Sequence, residues 1–245
     1  MQRNYKILVL MILKIEFENF FSIRDRIRID FRAANINTKL VRELRHNVID
    51  WNGVPVLKSL GLFGPNASGK SNILKAINFC CRMILDSHLN NEGVVFNFEP
   101  FKFDGWQEKP SCFLIDFVCD NVEYEYSFEL TKTKIISESL YYYPFGRRAK
   151  IFVRNADGKY SFGTGGISKP ADVVLNTSNK NLFLSRASSM NRVPLRPYMY
   201  LPSLLYFFFK SPSVVCEIMR MEIKERLAQF NGQVSLMDIM TYLYF

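Results

Sequence analysis

Apolar and polar positions change period along this chain, and the changes mark its elements. Ile12–Phe17 alternates apolar with polar, and Arg26–Phe31 does so more clearly. With the polar-aromatic stretch Glu18–Asp25 between them, they predict a hairpin with one buried face. Asn35–Asn47 is polar and basic and reads as a loop or an edge. Val54–Phe63 is mostly apolar and predicts one buried strand. After Gly69 the period lengthens. Ile73, Leu74, Ile77, Cys81, Ile84 and Leu85 fall on one helical face, which predicts a helix from Gly69 to about Asp86, fading over Ser87–Gly93. Period two then returns in Ser111–Cys119 and Val122–Leu130, with a tight turn at Asp120-Asn121, where both residues tolerate left-handed angles. Ile135–Tyr143, Lys150–Arg154 and Lys159–Gly163 extend an antiparallel meander. From Pro170 the pattern turns helical again, with Ser213–Phe230 presenting one apolar face and Val234–Phe245 apolar to the last residue.

Composition narrows the class. The chain has 245 residues, 48% hydrophobic and 22% charged, a globular balance. Its 22 Phe suit the core of sheet-rich parts. A formal charge of +9 favours anionic partners, nucleic acid or nucleotide among them, although the basic residues are dispersed. Five Cys in no metal-binding spacing and two His argue against zinc. The thiols read as reduced and buried, which implies a cytoplasmic protein. Ile7–Leu13 and Tyr198–Phe209 are too short for membrane spans, the second also containing Pro202. Met11 is an alternative start, leaving Met1–Leu10 as an extension.

The chemistry sits between the apolar run and the helix. Gly64-Pro65-Asn66-Ala67-Ser68-Gly69-Lys70-Ser71 fits G-x-x-x-x-G-K-[ST] at every fixed position. A chance match in a chain of this length has odds of roughly one in a hundred. Strand before and helix after are the context the motif needs. The glycines let the backbone close round phosphate, and the amides and the helix's positive end face the anion. Lys70 would contact the β- and γ-phosphates of ATP, and the Ser71 hydroxyl would ligate Mg²⁺. The alternative is a Gly-rich turn capping a helix, with Lys70 solvated.

Hydrolysis also needs an acid at the end of an apolar strand to hold Mg²⁺, and a group that orients water. Phe113-Leu114-Ile115-Asp116 offers Asp116, but apolar Phe117 and Val118 follow and no Glu is adjacent, so an outward position on a hairpin strand explains it better. Asp30 follows an alternating strand, and Glu217 lies in a helical pattern. Gln107, in the loop after the motif's helix, is a candidate γ-phosphate sensor.

Ile12–Ile23, with Glu18-Asn19-Phe20-Phe21-Ser22-Ile23, resembles the opening strand of ABC-type ATPases of the SMC/RecF/OLD kind. GPNASGKSN is similar to the P-loop of bacterial AAA-family ATP-binding proteins of that branch, and Glu138-Ser139-Leu140-Tyr141 to their strand after the hairpin. The resemblance implies an α/β P-loop NTPase fold. An ABC-type head lobe with an antiparallel meander would span residues 11–165, and a helical region, an incomplete insertion or lid, residues 166–245. It implies ATP and Mg²⁺ as cofactors and a head-to-tail dimer or homodimer with ATP between the heads. It also implies work in anti-phage defence or DNA maintenance, beside a nuclease or toxin effector, with nucleic acid as a further partner. The adenine would lie near Phe21, Ile23 or Arg24. No signature motif or Asp-Glu pair follows, so a truncated frame with poor hydrolysis is the expectation. A non-catalytic nucleotide-binding module and a kinase or GTPase remain alternatives; no N-K-x-D guanine motif occurs.

Overall fold

The computed structural model describes residues 10–34, 45–163 and 167–192 and the backbone of Tyr242–Leu243. The first hairpin forms as the alternation predicts. Strand β1 (Leu10–Glu18) pairs antiparallel with β2 (Ile27–Asp30), Ile15 opposite Ile29 and Phe17 opposite Ile27. The meander joins it in one sheet. Strands β6 (Ser111–Cys119), β7 (Val122–Leu130), β8 (Ile135–Tyr143), β9 (Ala149–Arg154) and β10 (Tyr160–Phe162) give the order β10-β9-β8-β7-β6-β1-β2. Asp120 and Asn121 turn the β6–β7 hairpin at φ 49° and 64°, the double left-handed geometry that matches strand twist.

One face of this sheet carries the core. Phe113, Ile115 and Phe117 of β6 and Tyr124, Tyr126 and Phe128 of β7 are all buried there. Their rings pack in register, Phe113 on Phe128 at 5.0 Å and Phe117 on Tyr124 at 5.2 Å. Burying each such side chain is worth roughly 1.5–3 kcal/mol. Helix α1 (Lys70–Asp86) covers this face, with Phe79 5.6 Å from both Phe113 and Phe20. Its buried stripe is Ala76, Ile77, Cys80, Cys81, Met83 and Ile84. The stripe is rotated from the predicted one, and Ile73, Leu74 and Leu85 lie at its margins. Small Ala76 and the thiols allow close approach to a sheet already crowded with rings. Helices α2 (Pro170–Leu175) and α3 (Phe183–Ser189) continue the layer, and Phe183 seats against Phe152 at 4.8 Å.

The apolar run before the glycine-rich loop departs from expectation. It is two strands, β4 (Val54–Leu57) and β5 (Leu60–Gly61), separated by exposed Lys58 and Ser59. Asn52-Gly53, at φ 51° and 82°, folds β4 back on β3 (Val48–Trp51) as a separate hairpin. Val56 stays in the core while the rest of the run is half-buried or exposed, and Asn-Gly was the sequence signal for the turn. Strand β5 pairs with β11 (Tyr242–Leu243). The predicted helix Ser213–Phe230, the stretch Tyr198–Phe209, Met1–Val9, most of Asn35–Asn47, Cys216 and Glu217 lie outside the described residues.

Candidate functional site

The glycine-rich segment forms an exposed loop, Gly64–Ser68, that turns into α1 at Gly69. Gly69 caps the helix at φ 94°, ψ −1°, a left-handed conformation that favours glycine. A Cβ placed there would lie 3.6 Å from Ser22 Oγ, so conformation rather than space selects the residue. Ala67 is also left-handed, at φ 62°, and Ser68 N donates to Pro65 O at 3.3 Å. These reversals wrap the loop over the end of the helix. No side chain caps that end, and its first turn holds no acidic residue. Helical first-turn amides have no intrahelical acceptor, and the helix dipole adds positive potential, so the position suits an anion.

Lys70 turns back under the loop. Its Nζ donates to Gly64 O at 2.6 Å and Pro65 O at 2.7 Å, and reaches Ser68 Oγ at 3.3 Å. Two carbonyls hold the ammonium at the loop's centre. Ser71 is exposed in the first turn. Asn72 donates to Ser22 Oγ at 2.7 Å, which ties the loop and helix to the β1–β2 turn. The Glu-Asn-Phe-x-Ser stretch thus has a physical task. Ser22 holds the first turn of α1, buried Phe20 packs on Phe79 and Phe98, and Asn19 organises the loop after the helix. The Asn19 side chain is fully buried, and its Nδ2 reaches the carbonyls of Trp106, Lys109 and Pro110 at 3.0, 2.8 and 3.3 Å. Its Oδ1 accepts from Phe101 N at 2.8 Å. The structural weight of Asn19 was not legible from the alternation.

The other candidates separate. Gln107 lies in that same loop and donates to Lys102 O at 2.6 Å. Ile23 is in the core, Arg24 pairs with Asp25 at 2.9 Å, and Phe21 stays half-exposed with Lys75 above its ring at 5.2 Å. Asp116 sits on the sheet face opposite α1, since Ile115 and Phe117 beside it take the core face. It is buried rather than outward-exposed, 2.9 Å from Lys14, with Oδ1 unpartnered, and burial raises its pKa above the usual carboxylate range. Asp30 contacts Arg32 at the sheet edge. Among the described residues no three His, Cys, Asp or Glu converge on a metal position. No helix there is long and apolar enough to cross a membrane. Cys80, Cys81 and Cys119 are buried and Cys112 half-buried, all free thiols; burial pushes Cys112 up to about 12 and Cys119 to about 11.

A mostly antiparallel sheet layered with helices, and a glycine-rich loop opening the first of them over a clamped lysine, define an α/β P-loop NTPase-like fold. Residues 59–193, more than half of the chain, match a family described as "AAA domain, putative AbiEii toxin, Type IV TA system". The chain belongs to this AAA-domain family, a class of nucleotide-binding P-loop ATPases that in general take ATP with Mg²⁺. No curated protein gives a significant match to the chain.

Proposed function

We propose that the chain binds ATP with Mg²⁺ through Gly64–Ser71 and serves as an ABC-type ATPase head. The observation that carries this is the position of Lys70 Nζ, held by the Gly64 and Pro65 carbonyls beneath an uncapped helix end. The residues present fit a triphosphate. Left-handed Ala67 and Gly69 turn the loop over the helix end, where the amides of Lys70 and Ser71 lack helical acceptors. Bound there, ATP brings a phosphoryl group already polarised by Mg²⁺. Lys70 neutralises the β- and γ-phosphates, and the Ser71 hydroxyl is the chain's ligand to Mg²⁺. The Ser22–Asn72 bond fixes the helix end against the sheet, so the loop is presented on a rigid layer.

Turnover asks for more than this cradle. Asp116 is paired to Lys14 on the sheet face away from α1, which takes it from the metal. Hydrolysis then draws on groups outside the described residues or on a second head. We propose a head-to-tail dimer with ATP between its heads, acting in a bacterial anti-phage, toxin–antitoxin or DNA-maintenance system. A nuclease or toxin is the effector, nucleic acid a further partner and the cytoplasm the location. The same isolation of Asp116 favours a second reading, a nucleotide-binding module that regulates without hydrolysing.

Fluorescent-nucleotide titration tests the binding, with GTP as competitor against a GTPase assignment. Lys70→Ala should weaken ATP by about 1.5–3 kcal/mol, the worth of a hydrogen bond to a charged group, or roughly 10- to 150-fold. Unchanged affinity would remove Lys70 from the site. A phosphate-release assay separates ATPase head from silent module.

A further inference from the structure

A sizeable groove among the described residues lies away from the glycine-rich loop. It is an open groove of about 730 Å³ along the exposed flank of α1. One wall is the β1–β2 turn, with the half-exposed ring of Phe21, and the other is the segment after the helix. Two cations stand in it, Lys75 and Arg82, seven residues apart on α1 and so about 10 Å apart along the axis. Among the described residues neither forms an ion pair, and one acid, Asp86, lies at the far end. Asn78, between the cations, and Asn97, on the opposite wall, are exposed and make no hydrogen bond through their amides among the described residues.

We propose that this groove binds a short stretch of single-stranded nucleic acid. An excess of unpaired cations on one helix face calls for a polyanion. What selects a nucleic acid over an acidic peptide is the rest of the lining. An accessible aromatic face takes a stacked base, and free amide groups can both donate to and accept from base edges. Lys75 Nζ stands over one face of the Phe21 ring at 5.2 Å, so a base stacking here would displace that ammonium towards its own phosphate. The site is separate from Gly64–Ser71 and does not depend on ATP being bound there.

The test is fluorescence anisotropy of a labelled oligonucleotide of about a dozen nucleotides, without nucleotide or magnesium. Lys75→Ala with Arg82→Ala should weaken binding at least tenfold. It should also flatten log K against log salt by about 1.4, near 0.7 for each lost phosphate contact on a single strand. Phe21→Ala should lower affinity without changing that slope. Circular dichroism and thermal unfolding check that the variants are folded. Unchanged affinity in the double variant overturns the proposal. So does equal competition by polyglutamate, which assigns an acidic peptide, or tighter binding of duplex of the same length. Displacement of the oligonucleotide by ATP, with loss of ATP affinity in Phe21→Ala, also overturns it by giving this end to the nucleotide's base.

Discussion

Asp116 is the strand residue its sequence context favours, but buried rather than outward. It ends an apolar run, as a metal-binding acid would, yet its neighbours Ile115 and Phe117 claim the core face and turn it away from α1. Burial raises its pKa, and the Lys14 ammonium at 2.9 Å offsets this only in part. The sign of the pH effect follows. With the folded pKa above the unfolded one, the unfolded chain releases this proton first as pH rises. This residue's contribution to stability therefore falls from the ordinary carboxylate range, around pH 4, up through its raised folded value. Asp116→Asn should remove that slope. Urea midpoints of variant and wild type should converge at acid pH and separate towards neutrality, with the variant the more stable. Parallel profiles would mean that Lys14 fully compensates the burial.

At the scale of elements, two buried polar residues hold what propensity leaves loose. Helix α3 has only seven residues and no side-chain cap of its own. Short helices draw their stability from tertiary contacts. Here Glu138 of β8 supplies them, accepting from Phe183 N at 2.6 Å, Leu184 N at 3.0 Å and Tyr126 Oη at 2.8 Å. A carboxylate at a helix N-terminus also meets the positive end of its dipole. Glu138→Ala leaves three buried donors unmatched and should cost several kcal/mol, each orphan worth about 1–3 and the sum sub-additive. Glu138→Gln should recover part of that in thermal or urea unfolding. Asn19 plays the corresponding part for the loop that carries Gln107. Asn19→Ala should release that loop before the sheet. Hydrogen exchange should rise over residues 97–110 while β6 and β7 stay protected. Uniform exchange across both would make the loop's order independent of Asn19.

At the scale of the whole molecule, the glycine-rich loop, α1, the β1–β2 turn and the large sheet form one packed layer, so occupancy of the loop should register globally. ATP with Mg²⁺ at a hundred times its Kd should stabilise the fold by about 2.7 kcal/mol, a rise in Tm of roughly 5–10 °C for a protein of this size. Lys70→Ala, weakening ATP roughly 10- to 150-fold, should cut the rise to between about a half and a tenth at the same nucleotide concentration. A shift undiminished in the variant would place the nucleotide elsewhere.

Local patterning by itself determined the five-strand meander with its Asp-Asn turn, the first hairpin, the helix from Lys70 to Asp86 and the glycine-rich loop that opens it. Each rests on neighbours in sequence: period two, period 3.6, or residues that tolerate left-handed backbone. Tertiary structure alone decided the rest. Sheet order set which face of β6 was core and so turned Asp116 away from the loop. Burial made Asn19 and Glu138 anchors of distant segments. Those outcomes depend on what lies opposite a residue in space, and a polar side chain acquires its role only when packing removes water and leaves it one set of partners.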